Sequence, residues 1–194
     1  EALVQPGPGG VLRAFATTFR VGDRRDFNVI NKDEKFTRVT ARVVAVSDRA
    51  VFFQDVNAPP GGLTAEDFAQ LGRLFDDPIY NTVVSAFGEP SDIDGNGKVI
   101  ILFTPVVNRM TPPNSKGDGV IAGFFFGFDL TDQESSNRAE IFYSLVPDPE
   151  GKFGNRFGRD EVLRHVPPVL AHELQHMVAF NQRVRLRKGR PEAL

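Results

Sequence analysis

Near the end of this chain stands the pentapeptide His172-Glu173-Leu174-Gln175-His176, and it constrains the fold more than any other stretch. Four residues of α-helix turn through about 400°, so histidines at i and i+4 share one face. Two imidazoles placed in this way can bind one metal ion from one side. A glutamate beside the first can take a proton from a water on that ion. Read mechanically, the H-E-x-x-H pattern is a zinc hydrolase site, with His172 and His176 as zinc ligands and Glu173 as general base. Val169-Leu170-Ala171 before it and Met177-Val178-Ala179-Phe180 after it are apolar, as in a buried helix. Histidines and a carboxylate inside such a helix are unfavourable unless paired or metal-bound. The alternative to zinc is therefore a satisfied core histidine pair. Pro167 and Pro168 suit a first helical turn, where no amide donor is needed, and place the helix start near Val166.

Catalytic zinc takes three protein ligands and a water. The chain has no cysteine, which removes disulfides and every thiolate site. His165 lies seven residues before His172, about 10 Å along a helix axis, too far for a bond of about 2 Å to a shared ion. It reads as a structural or surface residue, and the third ligand must be a carboxylate. The extension H-E-x-x-H-x-x-G-x-x-H fails, because Ala179 stands where Gly belongs and Gln182 where His belongs. Glu192 is the one carboxylate after His176, 16 residues on, beyond a basic turn containing Gly and Pro. It could reach the metal only if the chain reversed near Gly189.

The 194 residues suffice for one domain, or for one with a small appended lobe. Residues 1–10 form an irregular lead-in. Val11–Phe15, Asp26–Ile30, Phe36–Val46 and Ala50–Phe53 then alternate as strands with turn residues between them, predicting a small antiparallel β lobe over residues 1–56. Asn57-Ala58-Pro59-Pro60-Gly61-Gly62 is the candidate boundary. Thr64 and Asp67 form a capping-box pattern for a helix through Phe75, and a second helix follows Pro78 and ends at Gly88. Val99–Phe103 is a continuous apolar run, as in a strand buried on both faces. Gly119–Phe128 and Glu140–Leu145 are further strands, and Asp160–His165 forms one or two helical turns ahead of the histidine helix. The 18 phenylalanines against 2 tyrosines and no tryptophan predict a phenylalanine-rich core.

Residues 92–98, Asp-Ile-Asp-Gly-Asn-Gly-Lys, place oxygen side chains of Asp92, Asp94 and Asn96 at the first, third and fifth places of a calcium loop. Gly97 stands at the sixth. The twelfth place, where a bidentate glutamate belongs, is Phe103. The segment is half a Ca²⁺ loop or a tight Asx-turn feeding the next strand.

A net charge of −2 gives no electrostatic case for nucleic acid or an anionic membrane. No apolar run reaches about 18 residues, so no membrane span is expected. The chain begins at Glu1 without methionine or signal peptide, as a processed or trimmed protein would. Arg183, Arg185, Arg187, Lys188 and Arg190 read as a solvated basic helix end, with substrate docking as the other option. Oligomeric state is not legible.

The run Ala171–Met177 closely resembles the hyicolysin-type neutral metalloproteases, a secreted bacterial family of glutamate-ligated zincins (gluzincins). Asp92–Lys98 followed by an apolar strand resembles that family too, as does Asn137-Arg-Ala-Glu-Ile-Phe-Tyr143. The resemblance runs from about residue 40 to the end. It implies an α+β zincin-like catalytic lobe over residues 57–194, a mixed sheet carrying the histidine helix, behind the small β lobe. It also implies zinc on His172 and His176, Glu173 as base, protein or peptide substrates, and an extracellular location. The family's third ligand sits in an Asn-Glu-Gly type segment that would follow Leu194. By analogy the substrate pairs with the edge strand at Gly119–Phe128, with Val120–Phe124 facing it. The chain thus has two functional readings: a zinc endopeptidase, or a trimmed or inactive zincin fragment serving as a binding or adhesion module.

Overall fold

In the computed structural model, residues 18–112 and 119–186 are described. The expected strand Val11–Phe15, the end of the basic tail and Glu192 lie outside them. β1 (Arg24–Ile30), β2 (Phe36–Val46) and β3 (Ala50–Asp55) form an antiparallel meander, as their alternation predicts. Next come α1 (Ala65–Leu74) and α2 (Asn81–Phe87), which return the chain to β4 (Val99–Phe103). A short helix α3 (Pro105–Asn108), β5 (Gly123–Phe125) and β6 (Ile141–Ser144) follow. Then comes the long helix α4 (Arg159–Phe180).

All six strands belong to one mixed sheet in the order β1-β2-β3-β4-β6-β5. β3 pairs in parallel with β4, and β4 with β6, while β5 closes the far edge antiparallel to β6. Residues 24–55, expected as a separate lobe, therefore build half of the sheet that continues to β5. The reason is non-local: Ala50–Phe53 and Val99–Phe103 are buried, and pairing along their shared register satisfies the backbone groups on the sides that β2 and β6 do not reach.

The two faces of the sheet are packed by aromatic rings. Phe52 on β3 and Phe103 on β4 meet Phe68 of α1, with ring centroids 6.1 and 5.4 Å apart. The next residue, Phe53, points to the opposite face, where Phe27 and Phe19 meet it at 5.1 and 5.2 Å. α1 starts where the capping box places it. The Thr64 side chain accepts from the Asp67 amide at 3.2 Å, and the Asp67 carboxylate accepts from the Thr64 amide at 2.7 Å.

α4 corrects a second expectation. It begins at Arg159 and runs unbroken through Pro167 and Pro168. Its apolar stripe, Val162, Val166, Leu170, Leu174, Met177 and Val178, crosses the prolines without interruption. The carbonyls that lose a donor belong to Leu163, half-buried, and Arg164, exposed, so water can satisfy them. No helix among the described residues is long and apolar enough to cross a membrane.

Candidate active site

α4 packs on β5, β6, α1 and α2. Burial of Leu170, Leu174 and Met177 fixes its rotation, which turns His172, Glu173 and His176 away from the core beside β5. The helix end is seated by Gly127, where a Cβ atom would stand 2.6 Å from the Phe180 ring, and by the edge-on contact of Phe125 with Phe180 at 6.1 Å.

The three motif residues meet as the helical spacing predicts. The Nε2 atoms of His172 and His176 converge to 3.0 Å. Two nitrogens each about 2.0–2.1 Å from a tetrahedral zinc would stand about 3.3 Å apart, so the pair fits two corners of such a site. Among the described residues no third His, Asp or Glu joins them. His165, on the same helix, is exposed.

Glu173 is half-buried, and its Oε2 accepts the Phe125 amide at 3.0 Å. Loss of solvent raises its carboxyl above the ordinary range; the Phe125 amide and the two imidazoles pull the other way. The result is a carboxylate with increased proton affinity beside the histidine pair.

β5 is a sheet edge. The Ala122 carbonyl accepts the Leu145 amide at 3.1 Å, facing β6, whereas the Phe125 amide faces α4. By the two-residue period of the ladder, Gly123 presents its N–H and C=O on the side away from β6. A cleft of about 400 Å³ opens there, walled by Val120, Ile121, Ala122, Gly123, Pro168 and Val169, with His172 and Glu173 beside them. Of the expected substrate stretch, residues 120–123 border the cleft, while Phe124 stacks on Tyr143 at 4.9 Å. The expected strand at 119–128 is shorter than its pattern. Only Gly123–Phe125 pairs, because Gly127–Leu130 winds into a 3₁₀ turn.

A second cluster lies at the loop before β4. Ligand atoms of Asp92, Asp94 and Glu140 lie within 4.8 Å of one another. Glu140, 1% exposed, comes from the residue before β6, and its Oε1 accepts from Ser91 Oγ and the Ile93 amide. Asn96 plays a different part from the one its place in the loop suggests. Its Oδ1 accepts the Lys98 amide at 2.6 Å and its Nδ2 donates to Asp94 at 2.8 Å, so it braces the turn. Burial and then the charge of Glu140 push Asp94 up to about 6, and burial likewise raises Glu140. Arg25 lies 3.9 Å from Asp94, an ion pair among the described residues. Spacing could not find Glu140, which lies 46 residues beyond Asp94. The available signal was its place in the Asn137–Tyr143 run.

No protein-family model matches the chain. The chain is 30% identical over 165 residues to the neutral metalloprotease ShpI of Staphylococcus hyicus, a match covering 85% of this chain and 35% of the relative. The chain thus spans about a third of the length of the curated relative it matches. The similarity relates this α+β chain to a metalloprotease over most of its residues.

Proposed function

We propose that this chain carries the metal-binding helix and substrate edge of a secreted zinc endopeptidase of the glutamate-ligated class. The observation that carries the reading is the convergence of the His172 and His176 Nε2 atoms to 3.0 Å beside a half-buried carboxylate and the edge strand β5. His172 and His176 would hold Zn²⁺, and a carboxylate from outside the described residues would complete the set. Zinc, when bound, polarises a carbonyl and acidifies a water. Glu173 is the base: its raised proton affinity suits it to accept a proton from the attacking water and pass it to the leaving amine. The substrate peptide is held as an added strand on β5, using backbone groups of Gly123, and the apolar walls Val120, Ile121 and Val169 favour an apolar side chain next to the scissile bond.

In the complete enzyme, Glu173→Gln is expected to abolish casein hydrolysis while zinc stays bound at one equivalent. Loss of zinc, or activity near wild type, would refute the assignment of Glu173 as base.

The calcium reading of the 92–98 loop belongs to the same proposal, with Glu140 supplying the carboxylate that the loop pattern lacks. Asp92, Asp94 and Glu140 would hold Ca²⁺, which relieves three like charges at close range. A calcium-dependent rise in melting temperature over an EGTA control supports it. An unchanged melting temperature leaves the loop as an Asx-turn.

A further inference from the structure

A cavity of about 590 Å³ shares no lining residue with the cleft at His172. It opens over β1, β2 and β3 where Arg24 lies directly opposite Arg42, and Arg42 opposite Gln54. Register partners point to the same side of a sheet, so two guanidinium groups and an amide stand in one row. Like charges directly opposite each other on paired strands repel. Elsewhere on the ladder the chain avoids this: Arg38 holds Asp26 at 2.6 Å, with Thr40 on the other oxygen. Arg24 and Arg42 are exposed, and neither guanidinium group has a hydrogen bond or ion pair with any described residue.

The remaining charges do not neutralise them. Asp55 lines the same cavity, but its Oδ1 accepts from Asn57 and its Oδ2 from Thr104 Oγ1 at 2.7 Å, and it is buried. Arg159 adds a third cation, already bonded to Asp67 and Asp160. The rest of the wall is uncharged: Val56, Ala58 and the Pro59–Thr64 loop. The cavity therefore keeps two unpaired guanidinium groups facing each other, beside an Asp55 and an Arg159 that already have partners.

We propose that this cavity binds a doubly charged tetrahedral oxyanion of the phosphate type, seated between Arg24 and Arg42 with the Gln54 amide as a neutral donor. Guanidinium groups match such an anion with paired N–H donors, and the dianion cancels the repulsion across the strand pair. The ligand is either the free anion or the phosphate of a monoester, which present the same three oxygens.

The test is isothermal titration and thermal melting of the 194-residue chain with inorganic phosphate and with O-phosphoserine, at ionic strength held constant with sodium chloride. Saturable one-to-one binding is expected, weakened about tenfold or more in Arg24→Gln and in Arg42→Gln and unchanged in Arg73→Gln, which lies outside the cavity. Phosphoserine binding more tightly than phosphate assigns the site to a monoester, and the reverse assigns it to the free anion. Without anion, Arg42→Gln should melt no lower than wild type, since it removes only a repulsion. A response that chloride reproduces, binding unchanged in both variants, or a lower anion-free melting temperature in Arg42→Gln overturns the proposal.

Discussion

Replacing Gly123 by alanine tests whether the edge strand beside Glu173 is held by close backbone packing. A Cβ atom at Gly123 would overlap the Phe142 Cζ atom, stand 2.8 Å from Phe142 Cε2 and 2.6 Å from the Tyr143 carbonyl oxygen. Ordinary contact begins near 3.4 Å. The Phe142 ring is 1% exposed, and the Tyr143 carbonyl is fixed in the sheet. Relief must come from moving β5 away from β6. Overpacking of this kind costs about 1–3 kcal/mol. At about 2–4 °C per kcal/mol for a chain of this size, a loss of about 2 kcal/mol lowers Tm by about 4–8 °C. The same movement displaces the Phe125 amide from its present alignment with Glu173 Oε2, now at 3.0 Å. Urea unfolding gives the first quantity, and hydrogen exchange at the Phe125 amide gives the second. A variant within about 0.5 kcal/mol of wild type, with Phe125 protection intact, would refute the reasoning.

Tyr143→Phe removes the hydroxyl that donates to buried Asp129 and accepts Asn137 Nδ2 at 2.9 Å, leaving Asp129 Oδ2 without its donor. A loss of about 1–3 kcal/mol in urea unfolding is expected, and one below about 0.5 kcal/mol would count against it. Asp94 and Glu140 make the metal-free protein pH-sensitive. A carboxyl raised in the fold binds its proton more firmly folded than unfolded, so stability falls as pH rises. For Asp94 that fall runs from its ordinary 3.8 to about 6 and is flat above. In EGTA the fall should be on the order of 2 kcal/mol between pH 4 and 6.5, and calcium should reverse its sign if it binds there; a flat EGTA profile contradicts the raised carboxyls. Zinc affinity and casein hydrolysis of the 194-residue chain beside a version extended by about 30 residues test the third ligand. Weak zinc binding and no turnover are expected in the shorter chain, and tight zinc with full activity would point to Glu192 instead.

The sequence by itself determined the features that rest on local period and local chemistry. An i, i+4 spacing inside an apolar stripe places His172 and His176 on one helical face wherever that helix lies. Thr64 and Asp67 cap α1 using atoms three residues apart. Alternation in 36–46 and the unbroken apolar run 99–103 set which strands are half-buried and which are buried on both sides. None of this depends on the rest of the chain. Tertiary structure decided what depends on residues far apart. The pairing of β3 with β4 merged two expected lobes into one sheet, because buried backbone must find partners and those lay 49 residues on. Burial of Val162 and Val166 on the same stripe as Leu170 carried α4 through two prolines that local rules place at its start. Packing of β6 beside β4 brought Glu140 to Asp92 and Asp94. Register set Arg24 against Arg42, and the short β5 edge brought the Phe125 amide to Glu173. The strand pairings, the approach of Glu140 and the Phe125–Glu173 bond join segments whose separation along the chain carries no periodic signal, so only the folded packing could choose them.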